Sequence, residues 1–310
     1  MRNLNFYGAL GLSTLSGCLW FLAVTPFDFS FLAWFAAVPM LAAIEKAGSF
    51  RRALFLGWWA GVVETGGGFY WLIDVMRRFA DFPWVGAVAV FLLFCAARAI
   101  IFLLFTAAVC SVRKRVQVPM TILAPIGMVS SELLVPQLFP CGQWISQAWN
   151  PLVIQISELT GPLGVTALLM LVNGALYDLT QSARAARYPA LAAGALLCAA
   201  LIFGAVRIRQ VDENVAHAPR LKVGLVQPNF AYSMDGEFSR EEALRQLTAL
   251  QEQSQRLERR GAQLLVWSEG SFPIAVPRDF TADFPAESIA ALETSRQHAL
   301  MGRLDLPFLG

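Results

Sequence analysis

The sequence predicts a multi-pass α-helical membrane domain over residues 1–206, a linker at 207–219, and the opening part of an α/β domain over 220–310. Three observations carry this. Hydrophobic residues make up 56% of the chain and charged residues 15%, against about 25% charged in an ordinary soluble domain. Charges are sparse and clustered up to residue 206 and frequent beyond it. After the linker, an apolar β-run, a charged helix and a second β-run follow in order. Two charge regimes in one chain imply a membrane part and a soluble part.

Seven spans are expected, near 6–25, 30–44, 53–73, 83–108, 117–136, 152–178 and 188–206. Arg2 and the apolar run after it also fit a signal peptide. A second apolar run follows at once without a convincing cleavage site, so the first segment reads as an uncleaved span. Lys46, Arg51 and Arg52, then Arg113, Lys114 and Arg115, then Arg184 and Arg187 fall in alternate loops. With Arg2 they belong on the cytoplasmic side. An odd number of spans then places 207–310 outside the cytoplasm, which in a Gram-negative cell is the periplasm.

Four charged residues fall inside the apolar runs: Glu64, Arg98, Glu132 and Glu158. Each costs a few kcal/mol in a bilayer and so faces protein or a wet cavity. Polar helix packing and a cleft for a lipid headgroup are both open readings. The Gly66–Gly68 run has no strand before it, so it reads as a close packing surface rather than a phosphate cradle. Residues 137–164 are punctuated by Pro140, Gly142, Pro151, Gly161, Pro162 and Gly164 and carry Trp144 and Trp149. This apolar-aromatic loop either cradles acyl chains or anchors the helices.

The five cysteines (Cys18, Cys95, Cys110, Cys141 and Cys198) all precede the soluble segment, form no CxxC pair, and read mostly as small membrane-buried hydrophobes. The net charge of +2, with no basic patch, excludes a nucleic-acid partner. His217 and His298 make no metal-ligand spacing, and no cofactor is implied.

In the soluble segment, 221–226 reads as a buried strand, Ser239 with Glu242 as a capping box, and 240–260 as an amphipathic helix. A strand at 264–268 delivers Glu269 at its C-terminal end. A helix at 285–301 and the start of a third strand at 306–309 follow. Beside Trp267 and Phe272, Glu269 is suited to general-base work, or is a paired surface carboxylate. A base without a nucleophile is half of covalent catalysis.

LKVGLVQPN (221–229) followed by LLVWSEGSFP (264–273) resembles the opening of a nitrilase-superfamily (carbon–nitrogen hydrolase) domain. Placed after several membrane spans, it is similar to the arrangement of apolipoprotein N-acyltransferases. FPCGQWISQAWNPLVIQISELTGPLGVTALLMLVNGAL (139–176), Pro26-Phe27-Asp28 and Gly68-Phe69-Tyr70-Trp71 resemble that family too. The resemblance implies an α-β-β-α sandwich and a multi-pass protein of the bacterial inner membrane, with the N-terminus cytoplasmic and the α/β domain periplasmic. Its reaction moves an acyl chain from a phospholipid donor, through a cysteine thioester, to the N-terminal amine of a diacylglyceryl-cysteine apolipoprotein. A Glu–Lys–Cys triad does this, and Glu269 matches the glutamate, the general base. Ser268 stands where many members have Pro, and Gly270 where Thr is common.

No residue of these 310 matches the family's oxyanion Lys or nucleophilic Cys, which lie further downstream with an eighth span. Lys222, in the first strand, is in the wrong place. Three readings follow: a truncated piece of an enzyme, one half of a split enzyme completed by a second polypeptide, or a non-catalytic lipid-binding or assembly module. The expectation is that this chain alone neither forms a thioester nor transfers acyl groups.

Overall fold

The computed structural model describes residues 5–227, 229, 240–268 and 271. The chain divides into two compact units, Met1–Ala216 and His217–Gly310.

In the first unit, Asn5 starts α1 (Phe6–Leu22) by accepting the Gly8 N–H at 2.8 Å. After a 3₁₀ turn, Ser30–Trp34, come α2 (Val38–Glu45) and α3 (Phe50–Gly68), the latter capped by Ser49. The short α4 (Leu72–Phe79) leads into α5 (Trp84–Arg98), which continues through Ala99 into α6 (Ile100–Arg113). Then come α7 (Met120–Leu134), a second 3₁₀ turn Gln143–Gln147, single turns α8 (Pro151–Ile154) and α9 (Ser157–Thr160), and α10 (Pro162–Gln181). The 35-residue α11 (Ala183–His217) closes the unit.

Small residues set the helix spacing. A Cβ on Gly17 of α1 would stand 2.6 Å from the Ala60 carbonyl oxygen of α3, and one on Gly61 of α3 would stand 3.0 Å from Ala99. Without a Cβ, α3 lies flush against α1 on one side and the α5–α6 rod on the other. Such stripes bring apolar helices together where water supplies no driving force. Gly67 meets the Phe21 ring in the same way and is the closely packed member of the Gly66–Gly68 run, Gly66 having open space beside it. Met40, Leu41, Leu56, Phe105, Met128 and Leu169 are fully buried in the core these contacts enclose.

Among the described residues, three helices are long and apolar enough to cross a membrane: Trp84–Arg113, α10 and α11. Phe6–Leu22, Ser30–Glu45 and Met120–Leu134 are apolar but shorter. Each of the seven expected stretches holds helical residues, but the ends shift and the stretch expected at 30–44 is a 3₁₀ turn followed by the eight-residue α2. The span expected at 53–73 stops at Gly68, and α4 follows as a separate helix. The span expected at 152–178 begins as two single turns, because Gly161 at φ +65° and Pro162 interrupt it. Residues 207–217, expected as linker, are the last turns of α11. They contain no Gly or Pro, and Arg, Gln and Glu are good helix formers.

The second unit contains β1 (Val223–Val226), α12 (Arg240–Arg259) and β2 (Leu264–Trp267). The strands are parallel, with Val223 opposite Leu264 and Val226 opposite Trp267. α12 turns Gln246, Leu250 and Ser254 inward at four-residue spacing. It ends at Gly261, whose φ of +83° lets the Ala262 N–H reach the Leu257 carbonyl at 3.1 Å. Leu257 then packs over Gly224 of β1, where a Cβ would come within 3.1 Å of it. This is one strand–helix–strand unit, the minimal α/β element. Ser239, the helix expected at 285–301 and the strand expected at 306–309 lie outside the described residues.

Candidate functional site

The parallel register puts the ends of both motifs on one edge. Gln227 follows Val226, and Ser268 follows Trp267, so the first residues of both motifs leave the strand pair at its C-terminal side. Ligands and catalytic groups of open α/β sheets collect at that side. Asn229 is left-handed there, with φ +51°. Trp267 is fixed by its indole N–H, which donates to Ser254 Oγ at 3.0 Å, and Ser271 N–H donates to Ser268 O at 3.1 Å. Glu269 itself lies outside the described residues, as does His298. Lys222 precedes β1 and hydrogen-bonds the Arg260 carbonyl. It sits at the opposite end of the strands, about 17 Å from Gln227 at about 3.3 Å per residue.

The charges inside the helical unit form fasteners between elements. Arg98 closes α5, near the middle of the 30-residue α5–α6 rod. Its Nη2 donates to the Cys141 carbonyl at 2.6 Å and its Nη1 to Gln137 Oε1 at 3.3 Å, while Glu64 Oε1 is 3.5 Å away. The loop carbonyl is therefore the stronger partner, and the ion pair the looser one. The guanidinium also lies 5.1 Å from the centroid of the Phe69 ring. Glu132 accepts the Gln143 N–H at 2.8 Å and the Thr166 hydroxyl at 3.0 Å. Glu158 pairs with Arg207 of α11 at 2.5 Å. All four charges that fall inside the apolar runs thus have protein partners.

Sequence reasoning missed several fasteners. Asn173 accepts the Ala37 N–H at 2.8 Å and donates to the Ala33 carbonyl at 2.9 Å, tying α10 to the segment before α2. Gln147 donates to the Ser30 carbonyl at 2.9 Å, joining the two 3₁₀ turns. Asp178 caps α7 from α10, accepting from Met120 N and Thr121 N at 3.1 and 2.9 Å. Arg113 spans Glu45 with two bonds of 3.0 Å and the Val118 carbonyl at 2.7 Å. Gly142, Gln147 and Asn173 stand in the 139–176 motif, so the signal was present without its meaning. A Cβ on Gly142 would stand 2.7 Å from Glu132 Oε2. Among the described residues no group of three His, Cys, Asp or Glu side chains is placed to hold a metal ion.

Fold and fasteners together define a helical protein with, among the described residues, three helices long and apolar enough to cross a membrane, the last of them followed by a strand–helix–strand unit. The model of the apolipoprotein N-acyltransferase N-terminal domain matches residues 16–175, just over half of the chain, and the chain belongs to that family. It is 27% identical over 277 residues to an apolipoprotein N-acyltransferase of Geobacter metallireducens, covering 84% of this chain and 51% of that protein. To that of Thermotoga maritima it is 28% identical over 259 residues, 78% of this chain and 48% of the relative. An apolipoprotein N-acyltransferase 2 of Leptospira interrogans is 25% identical over 225 residues, 69% and 38% of the two chains. The chain spans about half the length of the curated relatives it matches, or less.

Proposed function

We propose that this chain supplies the membrane part and the catalytic glutamate of an apolipoprotein N-acyltransferase. The observation that carries the reading is the family match across the helical unit, continued by relatives whose alignments cover up to 87% of the chain. In this reading the chain is a multi-pass protein of the bacterial inner membrane with seven spans. The basic loops lie in the cytoplasm and the strand–helix–strand unit in the periplasm, as the opening of a nitrilase-like domain. The phospholipid is the acyl donor and the diacylated apolipoprotein the acceptor.

In the sequence Glu269 follows Ser268, the residue with which the chain leaves β2. There it takes the proton of a cysteine thiol, and the thiolate attacks the phospholipid ester carbonyl. An ammonium stabilises the oxyanion of that step. The intermediate collapses to the thioester and expels the lysophospholipid alkoxide, which takes the proton back from Glu269. The acceptor amine then attacks the thioester, gives up a proton and releases the thiolate, leaving the amide. The Lys and Cys of this scheme have no counterpart among the 310 residues, so they come from further polypeptide, covalently joined or separate.

The test is transfer of an acyl group from phospholipid to a synthetic diacylated lipopeptide, followed by the mass of the peptide. The purified 310-residue chain should give no product. Membranes that also hold the polypeptide with the Lys and Cys should give it, and Glu269→Ala should abolish it there. Product from the 310-residue chain alone overturns the reading.

A further inference from the structure

The segment between α7 and α10 leaves the helical pattern, yet its anchors lie deep in the helical unit. Non-helical backbone survives at membrane depth only where protein satisfies it. Two charges do that here, from opposite sides. Arg98 reaches up from the middle of the α5–α6 rod to Gln137 and the Cys141 carbonyl. Glu132 reaches from α7 to the Gln143 N–H and to Thr166 of α10. Between the clamps Phe139 stacks on Phe69 at 5.9 Å and meets Phe94 edge-on at 6.1 Å. Cys141 packs into the same apolar cluster, with Phe69, Phe91 and Cys95. The Arg98 side chain is only 9% exposed, and its Nε–H has no acceptor among the described residues. Keeping so costly a group makes sense where it holds backbone that nothing else holds. The outer side is apolar: Leu138 within the stretch, and Leu134 and Trp149 flanking it, are all more than 70% exposed.

We infer that Arg98 and Glu132 are positioning residues that clamp residues 135–147 into a fixed wall, whose apolar outer side packs against phospholipid acyl chains. The lipid contact deepens the acyl-transfer reading and rests on it for its use. The clamp itself rests on geometry alone.

Cys141 is a built-in reporter. In the detergent-solubilised full chain, its alkylation by N-ethylmaleimide is followed by peptide mass spectrometry, with Cys18 and Cys110 as controls. Arg98→Gln should speed Cys141 labelling about tenfold, the factor that losing one charge-assisted hydrogen bond supplies, and leave the controls unchanged. Glu132→Gln should behave as wild type, because its amide can still accept from Gln143 N–H and donate to Thr166. Glu132→Leu should release Cys141. An unchanged Cys141 rate in Arg98→Gln, or a rise shared equally by all three thiols, overturns the clamp. If Arg98→Gln does not accumulate, Gln137→Ala decides, since it removes only a loop-side acceptor; no rise in Cys141 labelling there also overturns it. A phosphatidylethanolamine with a diazirine in its acyl chain should crosslink within 133–149 in the wild type and several-fold less in Arg98→Gln. Crosslinks confined to other segments overturn the lipid contact. Neither readout uses acyl transfer, so a missing transferase activity counts against the functional reading and leaves the clamp standing.

Discussion

The two units handle charge in opposite ways. In the helical unit Arg98, Arg113, Glu132 and Asp178 each bind groups on other elements, across 57 to 68 residues of sequence for Arg113 with Glu45 and Asp178 with α7. On α12 the pairs Glu242–Arg245 and Glu252–Arg256 join neighbours one turn apart. The Arg245 guanidinium, with the Gln246 amide, holds the Glu242 carboxyl below the usual carboxylate range, but in open solvent. A charge in apolar surroundings is retained where it ties elements together; a charge on a wet helix keeps the helix soluble and adds little. The packing differs in parallel. Glycine and alanine stripes seat the apolar helices, whereas α12 covers its strands with leucine.

These differences can be broken one at a time. The largest effect is expected at Leu250, which is fully buried on α12. Leu250→Ala should cost the second unit about 3 kcal/mol. Limited proteolysis should then cut 217–271 while the helical unit stays protected; simultaneous loss of both would deny that the units are separate. Next is Gly174 of α10, where a Cβ would stand 2.6 Å from the Met120 carbonyl carbon and 2.8 Å from Thr121 N. Backbone cannot rotate aside, so Gly174→Val should cost the helical unit about 2–3 kcal/mol, read as a lower thermal midpoint in detergent. Asp178→Ala removes the only side-chain cap described for α7 and should cost about 1–2 kcal/mol, with Asp178→Asn recovering part of it. The smallest effect belongs to Glu252→Ala, a pair at 3.5 Å between exposed side chains. It should move the midpoint by less than about 0.5 kcal/mol and less still in high salt. A large loss there would mean that α12 is not a solvated face.

Much of this was legible in the residues themselves. The apolar runs marked the helices, because hydrophobicity is what a bilayer selects. β1, α12 and β2 were legible because the Leu spacing of 244–257 has the helical period and 223–226 and 264–267 do not. Glu64, Arg98 and Glu132 stood out by their cost. Their partners did not, since Arg98 meets Cys141 and Gln137 some 40 residues away through tertiary packing alone. The boundary between α5 and α6 at Ala99, where the rod runs on, was equally silent, with no Gly or Pro to mark it. Asp178 and Asn173 were passed over because a polar residue near a helix end reads as surface, and only the fold puts α7 and α2 beside them. The helical reach of α11 to His217 was hidden by a polar composition that suits linker and helix alike.

The most direct measurement is of the acyl-enzyme. The protein is isolated from native membranes with whatever polypeptide accompanies it, given phospholipid with an alkyne-tagged acyl chain, and mapped for hydroxylamine-sensitive acylation. The account predicts one tagged thioester on a cysteine outside these 310 residues, lost in Glu269→Gln. A thioester on Cys18, Cys95, Cys110, Cys141 or Cys198, or one that forms undiminished in Glu269→Gln, would contradict it.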